Sequence, residues 1–145
     1  MKFKNYRILV TGGEGFLGKA IIKKLKEKKY KKIYSFKKEK YNLTSQNETK
    51  NLFNLIKPEI VINAAALVGG INFSRKFPGR VFMENMKIQI NTLDFSSIYK
   101  VKKLINIGSA CIYSDENKTP FNEEDFDKKK MHSSVLYYGF SKLTQ

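Results

Sequence analysis

The chain has few of the residues on which disulfide-rich, secreted or membrane-spanning proteins depend. Its 145 residues include one cysteine, one histidine, three prolines and no tryptophan. The single cysteine, Cys111, excludes an intrachain disulfide framework and favours a reducing compartment, so we expect a cytoplasmic protein. The longest apolar run is broken at Asn63 and is too short to span a bilayer, and residues 1–7 lead into no signal-peptide core. We therefore expect no membrane partner.

Acidic residues and arginines are also scarce. The chain carries 28 lysines and arginines against 13 acidic residues, which gives a formal charge of +15, yet its only arginines are Arg7, Arg75 and Arg80. Nucleic-acid recognition usually relies on arginine, whose planar fork matches phosphates and guanine edges. Because the lysines are scattered, we interpret the charge as a solvated basic surface and expect no nucleic-acid partner. Such a surface still attracts anionic ligands such as nucleotides.

Apolar runs alternate with helical patterns along a chain of ordinary globular composition. Hydrophobic residues make up 41% and charged residues 28%, and the length suits one domain, which we assign to residues 1–145. Short apolar runs predict strands at 6–11, 32–36, 60–64 and 103–107. Helices are predicted at 16–29, between the capping box of Ser45 and Glu48 and Pro58, at 80–99, and near the C-terminal end of the sequence.

Two features of the segment between the third and fourth strands follow from the same pattern. The glycine pair at Gly69 and Gly70 predicts a loop over residues 69–79. The helix that follows is predicted from an apolar face formed by Phe82, Met86, Ile90 and Leu93.

Strands that alternate with helices predict an α/β fold. The sheet should be parallel and doubly wound, with helices on both faces. Ligands of such a sheet bind beyond the C-terminal ends of its strands, at the point where the strand order reverses.

A glycine-rich turn joins the first strand to the first helix. Gly12 permits a tight turn, Gly15 lets the backbone approach a pyrophosphate, and Gly18 lets the helix pack closely. The helix N-terminus, with Phe16 and Leu17, offers free N–H groups to phosphates. Because the motif follows a predicted strand and opens a predicted helix, it predicts a dinucleotide-binding, Rossmann-type fold.

The residues after the second strand bear on the choice between NAD and NADP. An acidic residue there would bind the ribose 2′-hydroxyl of NAD, but Phe36 is followed by Lys37 and Lys38, and the first acid is Glu39. Two cations suit the 2′-phosphate of NADP, although a lysine-rich chain can place them there by chance. We expect NADP, in the form of NADPH, rather than NAD.

A tyrosine and a lysine share one face of the last predicted helix. Tyr138 and Lys142 lie four residues apart. A nearby ammonium should lower the pKa of the phenol, so that the pair can exchange a proton with a substrate oxygen. Ser109, just past the fourth strand, can donate a hydrogen bond to the same oxygen. We therefore predict that Ser109, Tyr138 and Lys142 are catalytic.

These motifs resemble those of the extended short-chain dehydrogenase/reductases, which include NAD-dependent epimerases and dehydratases. Within them the chain is most similar to the GDP-L-fucose synthases, and the similarity covers essentially the whole sequence. The segments that carry it are TGGEGFLG at 11–18, AAALVGGI at 64–71, ENMKIQIN at 84–91, GSACIY at 108–113 and YGFSK at 138–142.

The resemblance implies an NADP-dependent epimerisation of GDP-4-keto-6-deoxy-D-mannose at C3 and C5, followed by reduction at C4. Tyr138 would donate the proton to the C4 oxygen, Lys142 would also contact the nicotinamide ribose, and Cys111 would act as acid or base in the epimerisation. Ala64 and Ala65 would contact the cofactor. Alternatives are that Cys111 is a small buried hydrophobe, that the substrate is another nucleotide sugar, and that the chain is a non-catalytic NADP-binding module.

The family's sequences continue beyond the point that matches Gln145. The resemblance therefore implies a Rossmann domain truncated before the substrate-binding part, with the partner histidine of the epimerisation beyond Gln145. We assign no such role to His132, a loop residue, and no metal site. We expect the isolated chain to be inactive and a complete protein to form homodimers.

Overall fold

The computed structural model describes residues 3–114, 116–125 and 131–144. Four strands are present, β1 Arg7–Thr11, β2 Lys32–Tyr34, β3 Ile60–Asn63 and β4 Lys103–Asn106. The helices are α1 Phe16–Glu27, α2 Gln46–Ile56, α3 Ile71–Lys76, α4 Pro78–Ile98 and α5 Leu136–Leu143. Short 3₁₀ turns lie at Ala110–Ile112, Glu123–Asp125 and Ser133–Val135. None of the helices in these described ranges has the length and apolar character needed to cross a membrane.

The chain forms two compact units. The first consists of Met1–Ala66 and Lys87–Ile107, and the second of Leu67–Met86 and Gly108–Gln145. The first unit contains the whole sheet, in which all neighbouring strands are parallel and the order is β2-β1-β3-β4. The strand order reverses between β1 and β3, as a doubly wound sheet requires.

Alternate residues of β1 pack into two separate apolar clusters, one on each face of the sheet. Leu9 packs with residues of α2 and α4, including Phe53 and Phe95. Ile8 and Val10 pack on the opposite side with residues of α1 and its surroundings. Because helices cover both faces, β1 is a continuous apolar run rather than an alternating one. The predicted doubly wound α/β fold is confirmed.

The second helix begins at its predicted cap. The Ser45 hydroxyl accepts a hydrogen bond from the Glu48 backbone N–H, with N and O 3.3 Å apart. The Glu48 carboxylate accepts from the backbone N–H of Asn42 at 2.7 Å, so it binds the preceding turn instead of completing the reciprocal capping box.

The predicted loop over residues 69–79 is wrong, because α3 occupies most of it. The helix begins after Gly70 and ends where the Phe77 N–H donates to the Phe73 carbonyl. Pro78 then opens α4 rather than ending a loop. Proline fits the first turn of a helix, where its missing N–H has no intrahelical partner to lose.

The apolar face that predicted α4 is not the face that the helix buries. Ile90 is 55% exposed and Leu93 36% exposed. The buried residues of this helix mix apolar and polar side chains, and they are Val81, Asn85, Ile88, Gln89, Thr92, Phe95 and Ser96. Two of these polar residues donate to backbone carbonyls: Asn85 to Val81 at 2.8 Å and Thr92 to Ile88 at 2.7 Å. Hydrogen bonding allows polar groups to occupy a buried face that apolar periodicity alone cannot reveal.

Candidate functional site

Gly12 makes the sharpest bend of the turn that follows β1. Its φ is +66°, the left-handed region that favours glycine. A Cβ at this position would lie 2.7 Å from the Ala64 carbonyl oxygen and 2.8 Å from the Ala65 Cα. The structure therefore brings the glycine turn against the backbone that follows β3, and only glycine fits between them.

Two further glycines hold α1 and β2 close to the same turn. A Cβ on Gly18 would overlap the Gly12 carbonyl, so α1 packs on the turn itself. A Cβ on Gly13 would overlap the side chain of Ser35 and lie 2.8 Å from Ile22 Cδ1. Sequence reasoning did not single out Gly13. The only signal for it was its place beside Gly12 inside a glycine-rich turn.

The N-terminus of α1 is open to an anion. Gly15 is the N-cap and provides no side-chain cap, and the first turn contains no acidic residue. Phe16 is 96% exposed, and its side chain does not cover the helix end. Backbone N–H groups at such an end attract phosphate oxygens. A cradle that a Cβ would fill, next to free N–H groups, fits the pyrophosphate of a dinucleotide.

The two lysines predicted to select NADP lie beyond the end of β2. The strand stops at Tyr34, two residues before the predicted end, and Lys37 and Lys38 are exposed. The Lys37 carbonyl accepts hydrogen bonds from the N–H groups of Lys40 and Tyr41. These bonds fold the segment into a turn that presents the lysine side chains to solvent.

A hydrogen-bonded chain of three polar side chains, two of them buried, joins the C-terminal ends of β1, β3 and β4. Thr11 Oγ1 donates to Asn63 Oδ1 at 2.7 Å, and Asn63 Nδ2 donates to Asn106 Oδ1 at 3.1 Å. The Ala65 N–H donates to Thr11 Oγ1 at 3.2 Å. The network fixes the backbone of Ala64 and Ala65 beside Gly12. Sequence reasoning missed Thr11, Asn63 and Asn106, whose only signal was a polar residue at each strand end.

The second unit contains all four predicted catalytic residues. Ser109 Oγ accepts from the Cys111 N–H at 3.2 Å and caps the 3₁₀ turn Ala110–Ile112. Lys142 is 6% exposed, and its Nζ lies 5.8 Å from the centroid of the Tyr138 ring. The i, i+4 spacing thus brings the predicted pair together on α5.

Gly139 allows α5 to approach the segment that carries Cys111. A Cβ on Gly139 would lie 2.6 Å from the Cys111 carbonyl oxygen and 2.6 Å from Met131 Sδ. Contact this close places Tyr138, one residue earlier, within reach of both Ser109 and Cys111, which both influence its ionisation. Sequence reasoning did not identify this role for Gly139.

Burial controls the ionisation of the Tyr138 and Lys142 pair. Burial, together with charge repulsion from Cys111, raises the pKa of Tyr138 above its ordinary value, while a hydrogen-bonding interaction with Ser109 opposes the rise. Burial lowers the pKa of Lys142. The prediction that Lys142 lowers the pKa of Tyr138 is wrong for this structure, because burial of the phenol dominates. At neutral pH Tyr138 is therefore a protonated phenol.

His132 caps a short turn in the same unit. Its Nδ1 accepts from the Ser134 N–H at 3.2 Å and lies 2.6 Å from Ser134 Oγ. Within residues 3–114, 116–125 and 131–144, no group of three or more histidine, cysteine or acidic side chains is arranged to hold a metal ion.

Comparison with known proteins links this geometry to one family. The profile of the NAD dependent epimerase/dehydratase family matches residues 8–145. A putative GDP-L-fucose synthase 2 from Arabidopsis thaliana is 31% identical over 140 residues, which are 97% of this chain and 43% of the relative. The chain thus spans less than half the length of this relative. The match confirms the resemblance stated from the sequence motifs.

Solved structures of nucleotide-sugar enzymes superimpose on almost the whole of this chain. A GDP-mannoheptose C4 reductase from Campylobacter jejuni with NADP bound superimposes with a TM-score of 0.91 at 26% identity, over 99% of this chain and 46% of that one. A GDP-L-fucose synthetase from Naegleria fowleri bound to NADP gives a TM-score of 0.86 at 29% identity, over 97% of this chain and 42% of that one.

Proposed function

The chain belongs to the NAD dependent epimerase/dehydratase family, and from this premise we propose that it supplies the NADP-binding part and the C4-reducing residues of a nucleotide-sugar epimerase/reductase. The reaction we propose is the conversion of GDP-4-keto-6-deoxy-D-mannose to GDP-L-fucose. The observation that carries the proposal is the cluster of Ser109, Cys111, Tyr138 and Lys142 in one compact unit. The similarity to GDP-L-fucose synthases supports the choice of substrate.

The glycine turn would bind the coenzyme through its pyrophosphate. Gly12, Gly15 and Gly18, with the N–H groups at Phe16 and Leu17, offer the bare backbone that a diphosphate requires. The backbone of Ala64 and Ala65 would form the opposite wall, and Lys37 and Lys38 would attract the 2′-phosphate. Bound NADPH supplies the hydride for the C4 ketone.

Tyr138 would donate the proton that the C4 oxygen gains during reduction. The raised pKa keeps its phenol protonated at neutral pH, which is the state that a donor needs. Ser109 would hydrogen-bond the same oxygen as its charge develops. Lys142, whose Nζ lies on the Tyr138 ring face, would contact the nicotinamide ribose.

Cys111 would serve the epimerisation steps. Protons next to a ketone are acidic enough to exchange, and a thiol can return one to the opposite face of the sugar. The side chain is half-buried, and Cys111 lies near enough to Tyr138 for charge repulsion to raise the pKa of the phenol. Proximity to the phenol supports a catalytic role over that of a packing residue.

A second substrate of the same class deserves a test, because the reductase of GDP-mannoheptose superimposes on this chain with a TM-score of 0.91. In that case the reaction would be a C4 reduction of a GDP-heptose. Both candidates share the coenzyme, the GDP group and the C4 ketone, and they differ in the group attached at C5.

A coenzyme titration tests whether the chain binds NADPH, on which the whole proposal depends. The chain should bind NADPH, measured by the fluorescence of the nicotinamide, about tenfold more tightly than NADH. Replacing Lys37 and Lys38 together by alanine should abolish this preference. Replacing Lys50 and Lys87 by alanine removes equal charge from exposed positions on α2 and α4 and should preserve it. Absence of saturable NADPH binding would refute the proposed function.

A further inference from the structure

The second unit contains a cavity of about 160 Å³ beside the predicted proton donor. Tyr138 forms part of its wall, and the other walls come from α3, the start of α4 and the turn Ser133–Val135. The volume suits a group of the size of part of a sugar ring. None of the roles assigned above uses the residues of α3.

The lining combines apolar and polar groups. Val81 and Val135 provide apolar surface, while Ser74, Arg75 and Ser133 provide hydroxyl groups and one cation. Sugars have the matching character, because their C–H faces pack on aliphatic side chains and their hydroxyls form hydrogen bonds.

Arg75 differs from the other two arginines of the chain. Arg7 lies 3.8 Å from the Glu59 carboxylate, and Arg80 pairs with Glu84 at 2.8 Å. In the described part of the chain the Arg75 side chain forms neither a hydrogen bond nor an ion pair, and Arg75 lines the cavity. Its five N–H donors are therefore available to a ligand.

The segment that carries Arg75 is anchored by a buried amide. Asn85, 1% exposed, accepts from the Leu67 N–H at 2.8 Å and donates to the Leu67 carbonyl at 3.0 Å. The Ser74 N–H donates to the Gly70 carbonyl at 3.1 Å in the first turn of α3. The Asn85 bonds fix the backbone four residues before α3, and the Ser74 bond closes the first turn of the helix that carries Arg75.

We infer that the cavity receives the hydroxyl at C3 of the sugar, next to the reacting C4, and that Arg75 positions the substrate by binding this hydroxyl. The inference rests on the proposed C4 reduction, which places the C4 oxygen at Tyr138. In the proposed substrate one neighbour of C4 carries a hydroxyl, at C3, and the other bears a methyl group, at C5. A wall with a guanidinium and serine hydroxyls matches the C3 side, because a methyl group there would leave these donors desolvated and unpaired.

Three GDP-sugars that differ by single hydroxyl groups test this assignment on the chain itself. They are GDP-D-mannose, GDP-3-deoxy-D-mannose and GDP-6-deoxy-D-mannose, with GDP as the reference. Binding is followed through the methyl NMR signals of Val81 and Val135, which report on the cavity. We expect the 3-deoxy sugar to bind about tenfold more weakly than the other two, because one charge-assisted hydrogen bond is lost.

Arg75→Leu should bring all three affinities to the level of the 3-deoxy sugar. Lys76→Leu is the matched control, because it removes the same charge from the neighbouring residue, which does not line the cavity, and it should preserve the tenfold ratio. Equal affinities in the unaltered chain, a loss confined to the 6-deoxy sugar, or a ratio that survives Arg75→Leu would overturn the inference and leave the proposed function intact. If no GDP-sugar shifts the valine signals beyond the effect of GDP, the cavity does not receive the sugar and the inference is overturned.

Discussion

Substitution of Gly12 by alanine should destabilise the chain. The residue has a φ of +66°, where an alanine costs about 1 kcal/mol. The added Cβ would also meet the Ala64 carbonyl oxygen at 2.7 Å. Both partners in this contact are backbone, so relief requires a shift of the turn that costs about 1–3 kcal/mol more. We expect a total loss of about 3 kcal/mol.

The assay is urea unfolding followed by circular dichroism, with Gly79→Ala as the matched control. Gly79 lies in the first turn of α4, and a Cβ there would meet no atom within 4 Å. Alanine is the better helix former, so the control should leave the free energy of unfolding unchanged or raise it slightly. NADPH binding should fall at least about tenfold in Gly12→Ala and stay constant in Gly79→Ala. If the two variants are equally stable, the close approach of the turn to Ala64 is refuted.

Three further changes probe the polar and charged groups of the two units. Asn63→Ala removes both hydrogen bonds of a buried amide and should lower the unfolding free energy by about 3 kcal/mol, whereas the exposed Asn54→Ala should change it by less than about 0.5 kcal/mol in urea unfolding. Ser45→Ala removes the cap of α2 and should cost about 1 kcal/mol by the same measurement. Lys142→Met should raise the melting temperature at pH 7, because burial lowers the pKa of Lys142 and makes its charge unfavourable. Just below the ordinary lysine pKa, the unfolded state of the unaltered chain binds more protons than the folded state. The stability of the unaltered chain therefore rises with pH in this range, and the advantage of the variant should shrink. An advantage that grows with pH would contradict this reasoning.

The fold could be predicted because its strongest signals are local. The run of Ile8, Leu9 and Val10 is apolar throughout, since helices cover both faces of β1. A Cβ at Gly12 or Gly18 would come too close to other backbone atoms, so no other residue fits at either position. The contact of Gly18 with Gly12 and the positive φ of Gly12 are local to the turn, and the apolar run of β1 follows from the alternation of strands and helices.

The buried face of α4 could not be predicted because its partners are distant in sequence. Asn85 is buried only because its amide bonds the backbone of Leu67, 18 residues earlier. Asn91, by a similar contact, donates to the Leu43 carbonyl at 2.8 Å. Apolar periodicity places asparagine outside a core unless its partner is known. The apolar Ile90 is then left on the exposed side of the helix.

The direction of the Tyr138 pKa shift could not be predicted from the sequence either. Spacing alone places Lys142 on the same helix face, and it predicts a phenol whose pKa is lowered by the ammonium. It cannot reveal that Lys142 is buried and Tyr138 half-buried, and burial favours the neutral form of each side chain. A neutral phenol retains the proton that reduction of a ketone consumes, and a lysine that ionises less readily than usual does not draw that proton away. The two shifts therefore favour the reductive direction of the proposed reaction, in which Tyr138 gives up its proton only when charge develops on the substrate oxygen.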